Sequence, residues 1–231
     1  MDVLIKFAVK YKFERLYSKL DSPIVFHCVP GAGKSSCIRE ILAFDSRFAA
    51  YTLGVEDPAN LTNNRILSYK GSVDSTKFNL LDEYNLAPAE KRDFFAVFGD
   101  PIQAVLEYSL RAHFICKYSL RFGTCTSQFL QSLGYEVEAE GPDAVQLGGL
   151  YEVDPRDKIV YYEDEVGCLL RRHCLEAFDI SEVVGQTFDS VTFVTSHSSP
   201  PVRDRAKVFQ CLTRHRRNLL VMCPNGSYTA T

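Results

Sequence analysis

The 231-residue sequence has no apolar run that approaches the roughly 18–20 residues needed to span a bilayer. Its apolar start is broken by Lys6, Lys10 and Lys12, which excludes a signal-peptide core and leads us to expect a soluble, cytosolic chain. The eight cysteines, at 28, 37, 116, 125, 168, 174, 211 and 223, include no C-x-x-C pair, and no Cys/His group has zinc-ligand spacing. Scattered, buried thiols in a reducing compartment are therefore expected. An N-K-x-D guanine-specificity motif is missing, as are internal repeats and low-complexity tails. The formal net charge of −3 excludes a uniformly basic nucleic-acid binder but not a local basic groove. With 46% hydrophobic and 24% charged residues, the chain reads as an ordinary globular protein, one large domain or two small ones.

The most informative stretch is 24–36, IVFHCVPGAGKSS. Ile24, Val25 and Phe26 read as a strand, and Pro30, Gly31, Ala32 and Gly33 as a turn. Lys34, Ser35 and Ser36 open a helix in which Cys37, Ile38, Ile41 and Leu42 fall at helical spacing. Glycines let backbone N–H groups point into such a turn, and the helix N-terminus adds partial positive charge, so the unit is an anion site. Lys34 can reach β- and γ-phosphates, and the Ser35 hydroxyl can ligate Mg²⁺. The full G-x-x-x-x-G-K-[ST] pattern asks for glycine at 28, where this chain has Cys28.

Around this stretch, Val9, Phe13, Leu16, Tyr17 and Leu20 fall at helical spacing, with Lys10, Lys12, Arg15 and Lys19 off the stripe. That predicts a first helix within 3–20, packed on the core or offering a basic face to RNA or membrane. Strands are expected at 51–55, 78–81 and 94–98, with a short helical piece at 88–93. Their alternation with helices or long crossovers favours a parallel α/β sheet. Ligands of such sheets sit at the carboxyl ends of the strands, where GAGKS, Asp82-Glu83-Tyr84 and the GDPIQ segment ending at Gln103 all fall. Asp82 would hold Mg²⁺ through water, and Glu83 would accept a proton from the attacking water or orient it. Gln103 would hydrogen-bond the γ-phosphate or that water.

A second half is expected from 111, giving domains 1–110 and 111–231. Strands are read at 113–118, 159–162, 191–195 and 219–222, and helices at 126–133, 164–178 and 203–212; residues 135–157 resist placement. Phosphoryl transfer spreads negative charge over equatorial oxygens and needs arginines in the closed state. Arg121, in SLRFG, and Arg214 are the candidates. Arg203, Arg205, Lys207, Arg214, His215, Arg216 and Arg217 form the densest basic cluster, an RNA-facing edge or a solvated helix end.

Taken in order, VPGAGKS, LLDEY, FGDPIQ, SLRFG, VVGQTFDSVTFV and CLTRHRRNLLV resemble the motifs of superfamily 1 viral RNA helicases of the alphavirus-like type. The short length resembles the first proteins of triple gene blocks, the movement proteins of potexvirus-like plant viruses. The resemblance implies a P-loop NTPase of helicase superfamily 1 with two RecA-like parallel-sheet domains. ATP and Mg²⁺ would sit between them, on Pro30, Gly31, Ala32, Gly33, Lys34, Ser35 and Ser36, with Ser35 and Asp82 at the metal. Glu83 and Gln103 would be catalytic, Arg121 and Arg214 would act across the domains, and Gln186, Thr187, Arg216 and Arg217 would meet RNA. The resemblance also implies cell-to-cell transport of viral RNA, suppression of RNA silencing, and residence in the host cytoplasm and at plasmodesmata. Implied partners are viral RNA, other viral movement proteins, coat protein, host silencing factors and further copies of the chain. The alternative is a non-catalytic protein that binds RNA or host factors, its nucleotide site serving only as structure.

Overall fold

Short apolar runs form the inner strands of two parallel sheets, one in each of two units, Met1–Tyr118 and Ser119–Thr231. The computed structural model describes residues 1–61, 64–87, 91–102, 109–183 and 185–230. The first unit contains α1 (Asp2–Lys10), β1 (Glu14–Arg15), β2 (Ile24–Cys28), α2 (Lys34–Phe44), β3 (Phe48–Thr52), β4 (Leu67–Ser68), β5 (Phe78–Asp82), β6 (Ala96–Gly99) and β7 (Phe114–Cys116). Its seven strands run β1-β7-β2-β6-β5-β3-β4. All neighbours are parallel except β1 and β7, where Glu14 faces Ile115 and Arg15 faces Phe114. β2 and β6 lie in the middle and are almost wholly buried, as strands of a parallel sheet covered on both faces must be. Phe26 of β2 stacks on Phe98 at 4.5 Å and on Phe114 at 4.6 Å. A buried phenylalanine so placed contributes about 3–5 kcal/mol.

β8 (Tyr118–Ser119) lies at the division of the units. The second unit continues with α3 (Thr124–Ser132), β9 (Glu138–Ala139), β10 (Ala144–Gly149), β11 (Lys158–Tyr161), α4 (Asp164–Arg172), β12 (Ala177–Asp179), β13 (Phe188–Val194), α5 (Arg205–Leu212) and β14 (His215–Cys223). Its sheet is parallel throughout, in the order β10-β14-β13-β11-β12. The expected mixed α/β architecture with parallel sheets is thus what the chain adopts. Among the described residues no helix is long and apolar enough to cross a membrane.

Several boundaries differ from the sequence reading. The first helix stops at Lys10, because Tyr11 caps it and Lys12 turns the chain with φ +58° towards the edge strand β1. Its buried face is Leu4, Phe7 and Ala8; of the stripe read over 3–20, Phe13 is buried while Val9, Leu16 and Tyr17 are exposed. Residues 111–118 lie in the first unit rather than the second, because β7 fills the place between β1 and β2. The second strand lies at Phe48–Thr52, three residues earlier than expected at its start. Of the helical piece at 88–93, residues 88–90 lie outside the described residues and Lys91–Asp93 is a single 3₁₀ turn. Helix 164–178 ends at Arg172, and Ala177–Asp179 is a strand beside β11. The unplaced 135–157 contains the edge strand β10. All eight cysteines are free thiols; five are buried, but Cys125, Cys168 and Cys174 are exposed.

Candidate functional site: a phosphate loop over an acidic strand end

Strand β2 delivers the chain to Val29-Pro30-Gly31-Ala32-Gly33 at the carboxyl edge of the first sheet. Gly31 (φ +78°) and Gly33 (φ +87°) take the left-handed conformations that a Cβ would strain. Gly33 starts α2, whose first turn carries neither a side-chain cap nor an acidic residue. The helix therefore presents its N-terminal N–H groups and positive dipole end to the loop. Cys28, in the slot where the full motif has glycine, is the last residue of β2 and pairs with Cys116 of β7. That slot is regular strand and needs no glycine. The thiol is buried, and burial pushes its pKa well above the ordinary cysteine value, so it stays neutral.

The helix start and the end of β5 meet at two contacts. Lys34 Nζ lies 3.1 Å from Glu83 Oε1, and the Ser35 hydroxyl donates to Asp82 Oδ2 at 2.6 Å. Burial opposes the charge on Lys34, but the carboxylates of Glu83, Asp82 and Asp100 outweigh it and hold the ammonium above the ordinary lysine pKa. Asp82 is the strained partner. Burial first, and the neighbouring Glu83 carboxylate second, push its pKa up to about 6, against the pull of Lys34 and the Ser35 hydroxyl. Asp100, from GDPIQ, is buried and accepts the Ile102 N–H at 2.9 Å. Gln103 lies outside the described residues.

This arrangement fits a triphosphate and a hard dication. Lys34 is a largely buried cation, its side chain 11% exposed, whose counter-ion is a side-chain carboxylate that a phosphate can replace. Ser35 and Asp82 offer a hydroxyl and a carboxylate, the all-oxygen donors that Mg²⁺ takes alongside water.

In the second unit, Arg121 Nη1 donates to the Thr213 carbonyl at 2.9 Å. Arg214, 2% exposed, donates from Nε to the Gln210 carbonyl at 3.2 Å and from Nη1 to the Gln186 carbonyl at 3.5 Å. Arg121, Arg214 and Gln186 are thus brought together around the amino ends of β13 and β14. Gln186 and Thr187 retain exposure, and Arg216 and Arg217 are exposed at the start of β14. His215 is buried, with Nε2 2.8 Å from Thr126 Oγ1.

Sequence reading missed Asp143. It accepts the N–H groups of Gly123 at 2.9 Å, Cys125 at 2.8 Å and Thr126 at 3.2 Å, closing the N-terminus of α3 from a distant loop. Nothing local in the sequence signals this cap. Asp143→Ala should cost about 1–2 kcal/mol, read as a lower urea midpoint for unfolding. An unchanged midpoint would refute the capping role.

Residues 24–223 match the viral superfamily 1 RNA helicase core domain. Over the whole length of both chains, the sequence is 53% identical to the movement and silencing protein TGBp1 of Chrysanthemum virus B. It is 51% identical to that of Lily symptomless virus, again over both full lengths. Among solved structures it is similar to the arterivirus nonstructural protein 10 helicase, with TM-score 0.53 and 13% identity, over 96% of this chain and 56% of that one. Against the same helicase in complex with DNA, the TM-score is 0.54 at 15% identity, over 95% and 57% of the two chains. The chain thus spans little more than half the length of those helicases, and at such identities the likeness concerns fold alone.

Proposed function

The chain belongs to the viral superfamily 1 RNA helicases, and from that premise we propose that it is an RNA-stimulated ATPase serving as a plant-virus movement protein and suppressor of RNA silencing. The observation that carries the catalytic part is the double contact of Lys34 with Glu83 and of Ser35 with Asp82 beneath a phosphate loop. On ATP binding, the Lys34 ammonium exchanges the Glu83 carboxylate for β- and γ-phosphate oxygens. Glu83, released, orients the attacking water or accepts its proton. Ser35 and Asp82 would hold Mg²⁺, which when bound neutralises charge on the phosphates. Arg121 and Arg214 supply guanidinium groups to the transferring phosphoryl group, each after exchanging its carbonyl partners. Gln186, Thr187, Arg216 and Arg217 contact RNA, so hydrolysis and RNA affinity alternate.

The movement and silencing roles rest on the names of the full-length relatives. The same reading gives the partners as viral RNA, other viral movement proteins, coat protein, host silencing factors and further copies of the chain. It places the protein in the host cytoplasm and at plasmodesmata.

ATPase turnover with and without single-stranded RNA, compared between wild type and Lys34→Ala, tests the reading. Lys34→Ala should lose at least about 100-fold in turnover while still retarding RNA in a gel. Equal turnover in both proteins, with RNA binding intact, would leave the non-catalytic binding protein as the correct account.

A further inference from the structure

Glu83 does not continue strand β5. It takes φ +53°, a left-handed conformation unfavourable for a residue with a Cβ, and this turn accompanies the approach of its carboxylate to Lys34. Such a conformation persists only where the surroundings over-determine it. The next residue, Tyr84, supplies the surroundings. Its N–H donates to the Phe98 carbonyl at 3.1 Å, and its ring is fully buried in a cluster with Val25, Leu81, Phe94 and Val97.

Among the described residues, the hydroxyl of Tyr84 has two partners. It accepts the Leu110 N–H at 2.9 Å and lies 2.7 Å from Nε2 of His27. Burial lowers the His27 pKa to about 4, so the imidazole is neutral at physiological pH, and its ring tautomer sets which of Nε2 and the Tyr84 hydroxyl donates in their bond. His27 is the residue of β2 just before Cys28, at the entrance to the phosphate loop. One side-chain bond therefore ties the strand that leads into the loop to the turn that carries Glu83. Asn85 closes the other side, donating to the Asp100 carbonyl at 2.8 Å. Gly99 makes that approach feasible, since a Cβ there would come within 2.6 Å of Asn85 Oδ1 and 2.8 Å of the Tyr84 ring.

We infer that Tyr84, through its hydroxyl bond to His27, is a positioning residue that fixes Glu83 in register with the phosphate loop for hydrolysis. This rests on the ATPase reading above. Tyr84 touches no substrate in this scheme. Its effect is on where the carboxylate stands once Lys34 has turned to the phosphates, and a displacement of about 1 Å there is worth up to about 100-fold in rate.

Tyr84→Phe keeps the ring and removes the hydroxyl. The expected result is a 10- to 100-fold fall in kcat with KM for ATP within about twofold of wild type. His27→Leu, which deletes the ring partner of the hydroxyl, should reproduce that fall, and His27→Gln, whose amide can accept from or donate to the hydroxyl, should recover most of it. The double variant Tyr84→Phe/His27→Leu should be no slower than either single one, because both remove the same bond. A residue that merely filled the core would move Tm and leave kcat alone, or would give additive losses. Either pattern, or a Tyr84→Phe kcat within twofold of wild type, overturns the inference and leaves the ATPase reading intact. If wild type and Lys34→Ala turn over equally, the ATPase reading falls and this inference with it.

Discussion

Glu83→Gln should bind ATP several-fold more tightly than wild type and hydrolyse it about 10²- to 10⁴-fold more slowly. Both effects come from one contact. Without nucleotide, the Glu83 carboxylate is the counter-ion of the largely buried Lys34 ammonium at 3.1 Å. Phosphate oxygens must displace it, so part of the binding free energy goes into breaking that ion pair. The neutral amide is a far weaker competitor for an ammonium. Once the ion pair has opened, however, the amide cannot take a proton from water. Equilibrium binding of a fluorescent ATP analogue, followed by single-turnover hydrolysis, separates the two effects. Weaker binding by the variant, or wild-type hydrolysis, would contradict this exchange of partners.

Asp82→Asn is the second large expectation, and it sets stability against activity. The folded chain keeps a proton on Asp82 up to a pKa of about 6, whereas the unfolded chain releases it around the ordinary value of 3.8. Because the folded state binds the proton more tightly, stability falls as pH rises between those two values and stays lower above them. The penalty at pH 8 is on the order of 1–3 kcal/mol. Asparagine carries no such charge yet can still accept the Glu83 N–H that Asp82 accepts at 3.0 Å. The nucleotide-free variant should therefore be more stable than wild type at pH 8, with the difference shrinking towards pH 4. Its Mg²⁺-dependent hydrolysis should fall by at least about 100-fold. Urea midpoints at the two pH values and ATPase assays provide the measurements; a variant less stable than wild type at pH 8 would refute the sign.

These expectations rest on residues that the sequence displayed openly. A strand, two glycines with positive φ and Lys34-Ser35 are local features, and their chemistry is set within a dozen residues. Asp82 and Glu83 were legible because an apolar strand ends in them. Two helix ends were not legible, and they share a cause. Lys12 (φ +58°) and Cys174 (φ +56°) hold left-handed positions just beyond α1 and α4, where glycine would have announced a stop. Tertiary pairing holds those bends: β1 against β7, and β12 against β11. Strand β10 escaped notice because it is a sheet border whose neighbour among the described residues is β14, at the far end of the chain. The His27–Tyr84 bond and the Asp143 cap share that remoteness. Each joins positions far apart along the chain, so no spacing rule reaches them.

The borders of the two sheets also differ in what they offer another backbone. In the first unit both outermost strands, β1 and β4, have only two residues, too short a ledge for a foreign segment to zip onto. In the second unit one border strand, β12, has three residues, whereas the other, β10, runs for six, partly exposed along its first four. At high local concentration, the hazard of unwanted cross-chain ribboning is therefore concentrated along 144–149, and a proline or lysine introduced there is the change that would blunt it.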